Sequence, residues 1–138
     1  MRQLAVLVLG AALTACATSH TATPNLRQQC EDRFDRVWIA SQSALAQLGA
    51  RVVSSNQAAG ALLARIEADA YGAPIEISVN LRRSPDQQPA TIEPLWVEVR
   101  TWDPSTNDPD PERLEDMRLV ARQILALISE RAACSGPM

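Results

Sequence analysis

Ile75-Glu76-Ile77-Ser78-Val79-Asn80-Leu81-Arg82 is the stretch that decides the fold. Apolar and polar residues alternate along all of it. Successive side chains of a strand point to opposite faces, so Ile75, Ile77, Val79 and Leu81 share one side and Glu76, Ser78, Asn80 and Arg82 the other. That is the pattern of an antiparallel sheet with one face packed and one face wet. Upstream, Gly72-Ala73 marks a turn, and Ala61 to about Asp69 alternates in the same way. Asn56 to Gly60 reads as another turn, behind a short strand at Arg51–Ser55. Downstream, Arg83 to Pro89 is polar loop. The last strand is expected at Leu95–Trp102, because Pro94 cannot sit deep in a ladder.

Helical spacing flanks the strands. Phe34, Trp38, Ser41, Leu45 and Leu48 fall at steps of four and three, widened by Val37, Ala40 and Ala44. This predicts a helix from about Gln28 to Leu48, closed by Gly49 as the left-handed cap. Asp110 and Pro111 suit the cap and first position of a second helix running to about Ala132. Its stripe is Leu114, Met117, Ala121, Ile124 and Ile128, widened by Val120, Leu125 and Leu127. Short turns favour antiparallel neighbours. The expected fold is α+β: a two-layer sandwich in the order αββββα, with a four-stranded antiparallel meander and two helices on one face. It would occupy residues 28–135.

The ends of the chain carry a second signal. Met1-Arg2 opens an apolar run from Leu4 to Leu13, and Leu13-Thr14-Ala15-Cys16 closes it. A charged start, an apolar run too short to cross a bilayer and small residues at the break make a secretory signal peptide at residues 1–15. The sequence around Cys16 resembles the lipobox of bacterial lipoproteins. That resemblance implies cleavage before Cys16, acyl chains including palmitate on its sulfur, and a membrane anchor facing the periplasm. Ala17-Thr18, with no Asp after the Cys, resembles the pattern of outer-membrane lipoproteins. The alternative is an ordinary signal peptide with a chance Cys. Residues 16–27 then read as acylated Cys and tether, rich in Ala, Thr and Ser.

Composition narrows the function. Of 138 residues, 13 are basic and 16 acidic, giving a net charge of −3. All the basic residues are Arg, scattered along the chain. An acidic chain with no basic cluster argues against nucleic acid. With Cys16 acylated, Cys30 and Cys134 remain, an even number for an oxidising compartment. If the first helix runs up, the second runs down, and the start of one meets the end of the other. Cys30 and Cys134 are therefore expected to form a disulfide; two free thiols are the alternative.

Phe34-Asp35-Arg36-Val37-Trp38, Ala44-Leu45, Leu48-Gly49, Gly60-Ala61-Leu62-Leu63-Ala64 and Gly72-Ala73-Pro74-Ile75-Glu76-Ile77 together resemble a family of small bacterial lipoproteins of unknown function. The resemblance covers most of the chain after residue 27. It implies the αββββα domain, similar to the helix-grip modules of the C lipoprotein of the β-barrel assembly machinery. It supplies no catalytic residues. The Pro- and Asp-rich loop before the second helix is longer than the family's connections, and the Cys pair departs from its pattern.

Catalytic constellations are hard to assemble. The single His, His20, lies in the tether, where no fold can hold it as a base. No zinc-ligand spacing or phosphate loop is present. Asp103, Asp108, Asp110 and Glu112 form an acidic cluster, but prolines stand where a calcium loop needs Gly, and a plain turn with a helix cap accounts for it. No cofactor, metal or small-molecule substrate is expected. On the last strand, Trp96, Glu98, Arg100 and Trp102 should point away from the helices, and Leu63 shares that side. Trp and Arg on an uncovered face favour a protein partner. A one-residue shift of register would instead bury them. Trp38 is expected in the core. The function expected is therefore a non-enzymatic binding or assembly-accessory lipoprotein of the cell envelope. The alternative is a periplasmic inhibitor or immunity-like protein that blocks a wall-active enzyme.

Overall fold

The computed structural model describes residues 26–67, 72–83 and 95–134. The fold is α+β. Strand β1 (Leu26–Cys30) precedes helix α1 (Phe34–Gln47). Strands β2 (Arg51–Asn56), β3 (Ala61–Ile66), β4 (Ile75–Arg83) and β5 (Leu95–Trp102) follow, then helix α2 (Pro111–Ser129). All pairings are antiparallel, and the open sheet has the order β1-β5-β4-β3-β2.

The alternation in Ile75–Arg82 sets the sheet as expected. Ile75, Ile77, Val79 and Leu81 are buried, and the residues between them through Asn80 are half-exposed. Leu62, Ala64 and Ile66 of β3 share the buried face with Leu95, Val97 and Val99 of β5. The stripes of α1 and α2 join them in one cluster that includes Trp38, Leu45, Met117, Ile124 and Ile128. Gly49 has φ +74°, as a left-handed helix cap requires. Asp110 caps α2 by accepting a hydrogen bond from the Arg113 amide at 2.9 Å, with Pro111 next to it.

The start of the chain differs from expectation. The sheet has five strands, not four, and the first helix begins at Phe34 and not at Gln28. Residues 26 and 27, read as tether, belong to β1. The burial of β1 has period two: Gln28 and Cys30 face inward, while Arg27 is exposed and Gln29 is half-exposed. A buried Gln disguised this pattern. Gln28 Nε2 donates to the Leu125 carbonyl at 3.1 Å, and its Oε1 accepts from the Ser129 hydroxyl at 3.1 Å. Both partners lie on α2, so the cost of burying an amide is offset only once α2 is in place. β5 satisfies the strand's backbone through the pairs Leu26–Val99 to Cys30–Leu95. Helix α2 ends at Ser129, three residues short of the expected limit. β3 stops at Ile66; the expected strand end at Asp69, the Pro89 loop and Cys16 lie outside the described residues.

Cys30 is thus the last residue of a strand and not part of a helical turn. It is nonetheless bonded to Cys134, 104 residues away. The same junction is knitted by the Glu31 amide, which donates to the Ala133 carbonyl at 2.7 Å. The Asp32 carboxylate accepts from the Ala133 amide at 2.9 Å. That amide, the burial that opposes it and the nearby Arg33 amide and Arg36 charge leave the Asp32 carboxyl below its ordinary pKa.

Candidate functional site

The outer face of the sheet is built by the residues that alternate with the core. β5 contributes Trp96, Glu98, Arg100 and Trp102 to it, and each falls between two buried positions or at the strand end. Trp96 and Trp102 are half-buried, Arg100 is exposed and Leu63 is half-buried. Trp38, in contrast, is in the core with 4% exposure. It stacks on Phe34 with ring centroids 6.0 Å apart.

Register fixes how these residues meet. Arg100 pairs with Ser78, and Ser78 pairs with Leu63 across the next gap. Arg100 and Leu63 therefore stand two strands apart in one row, about 10 Å between backbones. Trp102 lies in the adjacent row, opposite Glu76, which is opposite Arg65. Trp96 is at the other end of β5, about 20 Å along the strand from Trp102. It faces Gln29 on one side and Arg82 on the other. The structure brings Leu63, Arg100 and Trp102 together and leaves Trp96 as a separate anchor.

Charge on this face follows the same logic. Arg51 and Arg65 are directly opposed, an arrangement that repels. Glu67 lies between them, 3.2 Å from Arg51 and 3.6 Å from Arg65. Glu76 approaches Arg65 at 4.0 Å. Arg27 is opposite Glu98 on the same face, at the β1 edge of the sheet.

A second polar centre lies where the chain leaves β5 and enters α2. Arg113 Nε donates to Asp103 Oδ2 at 2.9 Å, and its Nη2 donates to the carbonyls of Ala73 and Pro74 at 2.7 and 2.9 Å. The Ser105 amide and hydroxyl donate to Asp103 Oδ1 at 2.8 and 2.6 Å. Burial alone would raise the Asp103 pKa, but these donors and the Arg113 charge bring it below the ordinary carboxylate value. Arg113 links the start of β4, the loop after β5 and the first turn of α2. Sequence reading missed it by starting the stripe of α2 at Leu114, although Arg113 precedes Met117 by one helical turn.

None of this resembles an acid–base pair. Asp32 and Asp103 both have lowered pKa values, so both are anions held by amides or Arg, whereas a general acid needs its proton near neutral pH. Asp108 and Asp110 line a shallow hollow beside Asp103. Among the described residues, no group of three or more His, Cys, Asp or Glu is placed to hold a metal. A cleft of about 420 Å³ opens beside Asp32, Phe34, Arg83 and Leu95, with neither His nor Cys among the described residues of its lining. No described helix is long and apolar enough to cross a membrane. No family model matches the chain, and no curated protein matches it.

Proposed function

We propose that this chain is a membrane-anchored periplasmic lipoprotein, acting as a non-enzymatic binding or assembly-accessory module of the cell envelope. In this reading it belongs with the small lipoproteins it resembles. Its domain is a two-layer sandwich, with both helices against the buried face of the sheet. The other face is the binding surface. The observation that carries the proposal is the placement of Trp96, Trp102, Leu63 and Arg100 on the side opposite the core. Large aromatic side chains with Arg are enriched in interface hot spots. The shared buried cluster of strands and helices supports the sandwich. The leader at Leu4–Cys16 supports the anchor. From Cys16 to Leu26 the chain reaches at most about 35 Å, which would keep the domain close to the bilayer.

The test has two arms. Palmitate labelling in cells should mark the wild-type chain and fail for Cys16→Ser. Trp96→Ala combined with Trp102→Ala should weaken co-purification of an envelope partner while the urea midpoint stays within the range of ordinary surface substitutions. Capture that is unchanged in the double variant would remove the sheet face as the binding surface.

A further inference from the structure

The thirteen arginines look scattered in sequence, yet the sheet gathers five of them. Arg27, Arg51, Arg65, Arg82 and Arg100 all occupy outer-face positions, at one register row or another. Of the sixteen acidic residues, the described strands place only Glu76 and Glu98 on that face. Glu67 sits just beyond β3, tied to Arg51 and Arg65. A chain of net charge −3 therefore presents one basic face, and that face is the one with both half-exposed tryptophans.

We infer that the outer sheet face binds an extended acidic polypeptide segment carrying apolar side chains. The inference rests on the partner-binding reading above and names the chemistry of the partner. Three observations select this occupant. The excess of Arg over Glu selects negative charge, since complementary potential steers encounter and excludes wrong partners. The separation of Trp96 from Trp102 along β5, about 20 Å, is the length of about six extended residues. One strand-like segment laid along β5 thus reaches both rings. Between the rings, Ser78, Asn80 and Ala61 keep the adjoining surface low. Glu98, in the middle of β5 and opposite Arg27, decides against a lipid surface. A uniform layer of anionic headgroups would repel it, whereas a polypeptide can set a neutral or basic side chain there.

The test uses the full-length chain with Cys16→Ser, which removes the sulfur that would carry the anchor. Isotope labelling resolves the three Trp indole N–H signals by nuclear magnetic resonance. The probes are a random glutamate–tyrosine copolymer, a lysine–tyrosine copolymer, and vesicles of phosphatidylglycerol with phosphatidylethanolamine. With the glutamate copolymer, the Trp96 and Trp102 signals should shift while Trp38 stays still, and added salt should reverse the shift. Arg82→Gln with Arg100→Gln should weaken this binding about tenfold, as expected from two partly screened charge pairs. The Trp38 signal reports whether the variant remains folded. An equal response to the lysine copolymer, a stronger response to vesicles, or no response to the glutamate copolymer would each overturn the inference. If co-purification still depends on Trp96 and Trp102 after such a result, the binding face stands and only its acidic partner falls.

Discussion

Arg113 donates from Nε to Asp103 Oδ2 at 2.9 Å, with the two side chains only 10% and 4% exposed. A pair so enclosed is asymmetric in its energetics. Together the charges cancel, but either one alone is stranded in low dielectric.

Asp103→Ala should therefore destabilise the fold by about 3–5 kcal/mol, a large fraction of the stability of a domain this size. Asp103→Asn should cost less, because it retains an acceptor for Ser105. Asp103→Ala with Arg113→Met should cost less than the sum of the single changes, since the two groups share one interaction. Urea unfolding of the wild type, Asp103→Ala, Asp103→Asn, Arg113→Met and the double variant measures this; additive losses would show that the pair does not act as a unit.

The pH response follows from two carboxylates. Asp103 and Asp32 both have folded pKa values below the ordinary aspartate value of 3.8. Around and below that value the unfolded chain binds more protons than the folded one, so stability rises with pH there. The contribution is complete above about pH 5 and is lost as acid protonates the folded groups. The urea midpoint should be flat from neutral pH down to about pH 5 and fall below about pH 4. Asp32→Asn, which removes one of the two groups, should make the acid limb shallower. An unchanged acid limb in Asp32→Asn would count against a role for the Ala133 contact.

The Cys30–Cys134 bond closes 104 residues into one loop. On the chain-entropy account such a link contributes up to about 4–5 kcal/mol, by restricting the unfolded chain. Reduction, or Cys30→Ser with Cys134→Ser, should lower the urea midpoint and increase amide exchange in Leu26–Cys30 before other strands. β1 should remain paired with β5 on average, since five residue pairs and Gln28 still hold it. Equal midpoints for oxidised and reduced protein would show that the bond adds no stability.

Two glycines separate conformational strain from crowding. Gly49 and Gly60 both have positive φ, +74° and +68°. A Cβ at Gly49 meets open space, whereas one at Gly60 falls 2.5 Å from the Leu81 carbonyl oxygen. That backbone cannot retreat freely, because the Leu81 amide donates to the Gly60 carbonyl at 2.8 Å. Gly49→Ala should cost about 1–2 kcal/mol for the left-handed conformation. Gly60→Ala should cost clearly more, measured by thermal or urea unfolding. Similar losses at the two sites would mean that the β3–β4 neighbourhood yields to the added methyl group.

Several features of the fold are legible in the amino-acid sequence alone. Alternation located β3, β4 and β5, because each has one buried face and a side-chain period of two. Stepped apolar residues located both helices, and Asp110-Pro111 located the start of α2. The Cys30–Cys134 pair is legible too, but Cys30 reaches Cys134 from the end of strand β1 and not from the start of a helix. β1 escaped because its inward positions are Leu26, Gln28 and Cys30, and the buried Gln28 breaks the apolar alternation in the middle of the strand. Arg113 escaped because a charged residue on a helix start reads as solvent-facing until carbonyls and a carboxylate surround it.

Local pattern by itself determined where β3, β4 and β5 run, where the body of each helix lies and which side of β5 bears tryptophan. It could do so because burial of one face imposes a period that the chain must repeat residue by residue. Only the tertiary structure decided that Leu26–Cys30 joins the sheet, that Asp103 neutralises Arg113, and that five distant arginines share a face. The strand and the shared face depend on partners far off in sequence, and Arg113, only ten residues from Asp103, depends also on the distant Ala73 and Pro74 carbonyls; these hydrogen bonds and charges exist only after the chain has closed on itself.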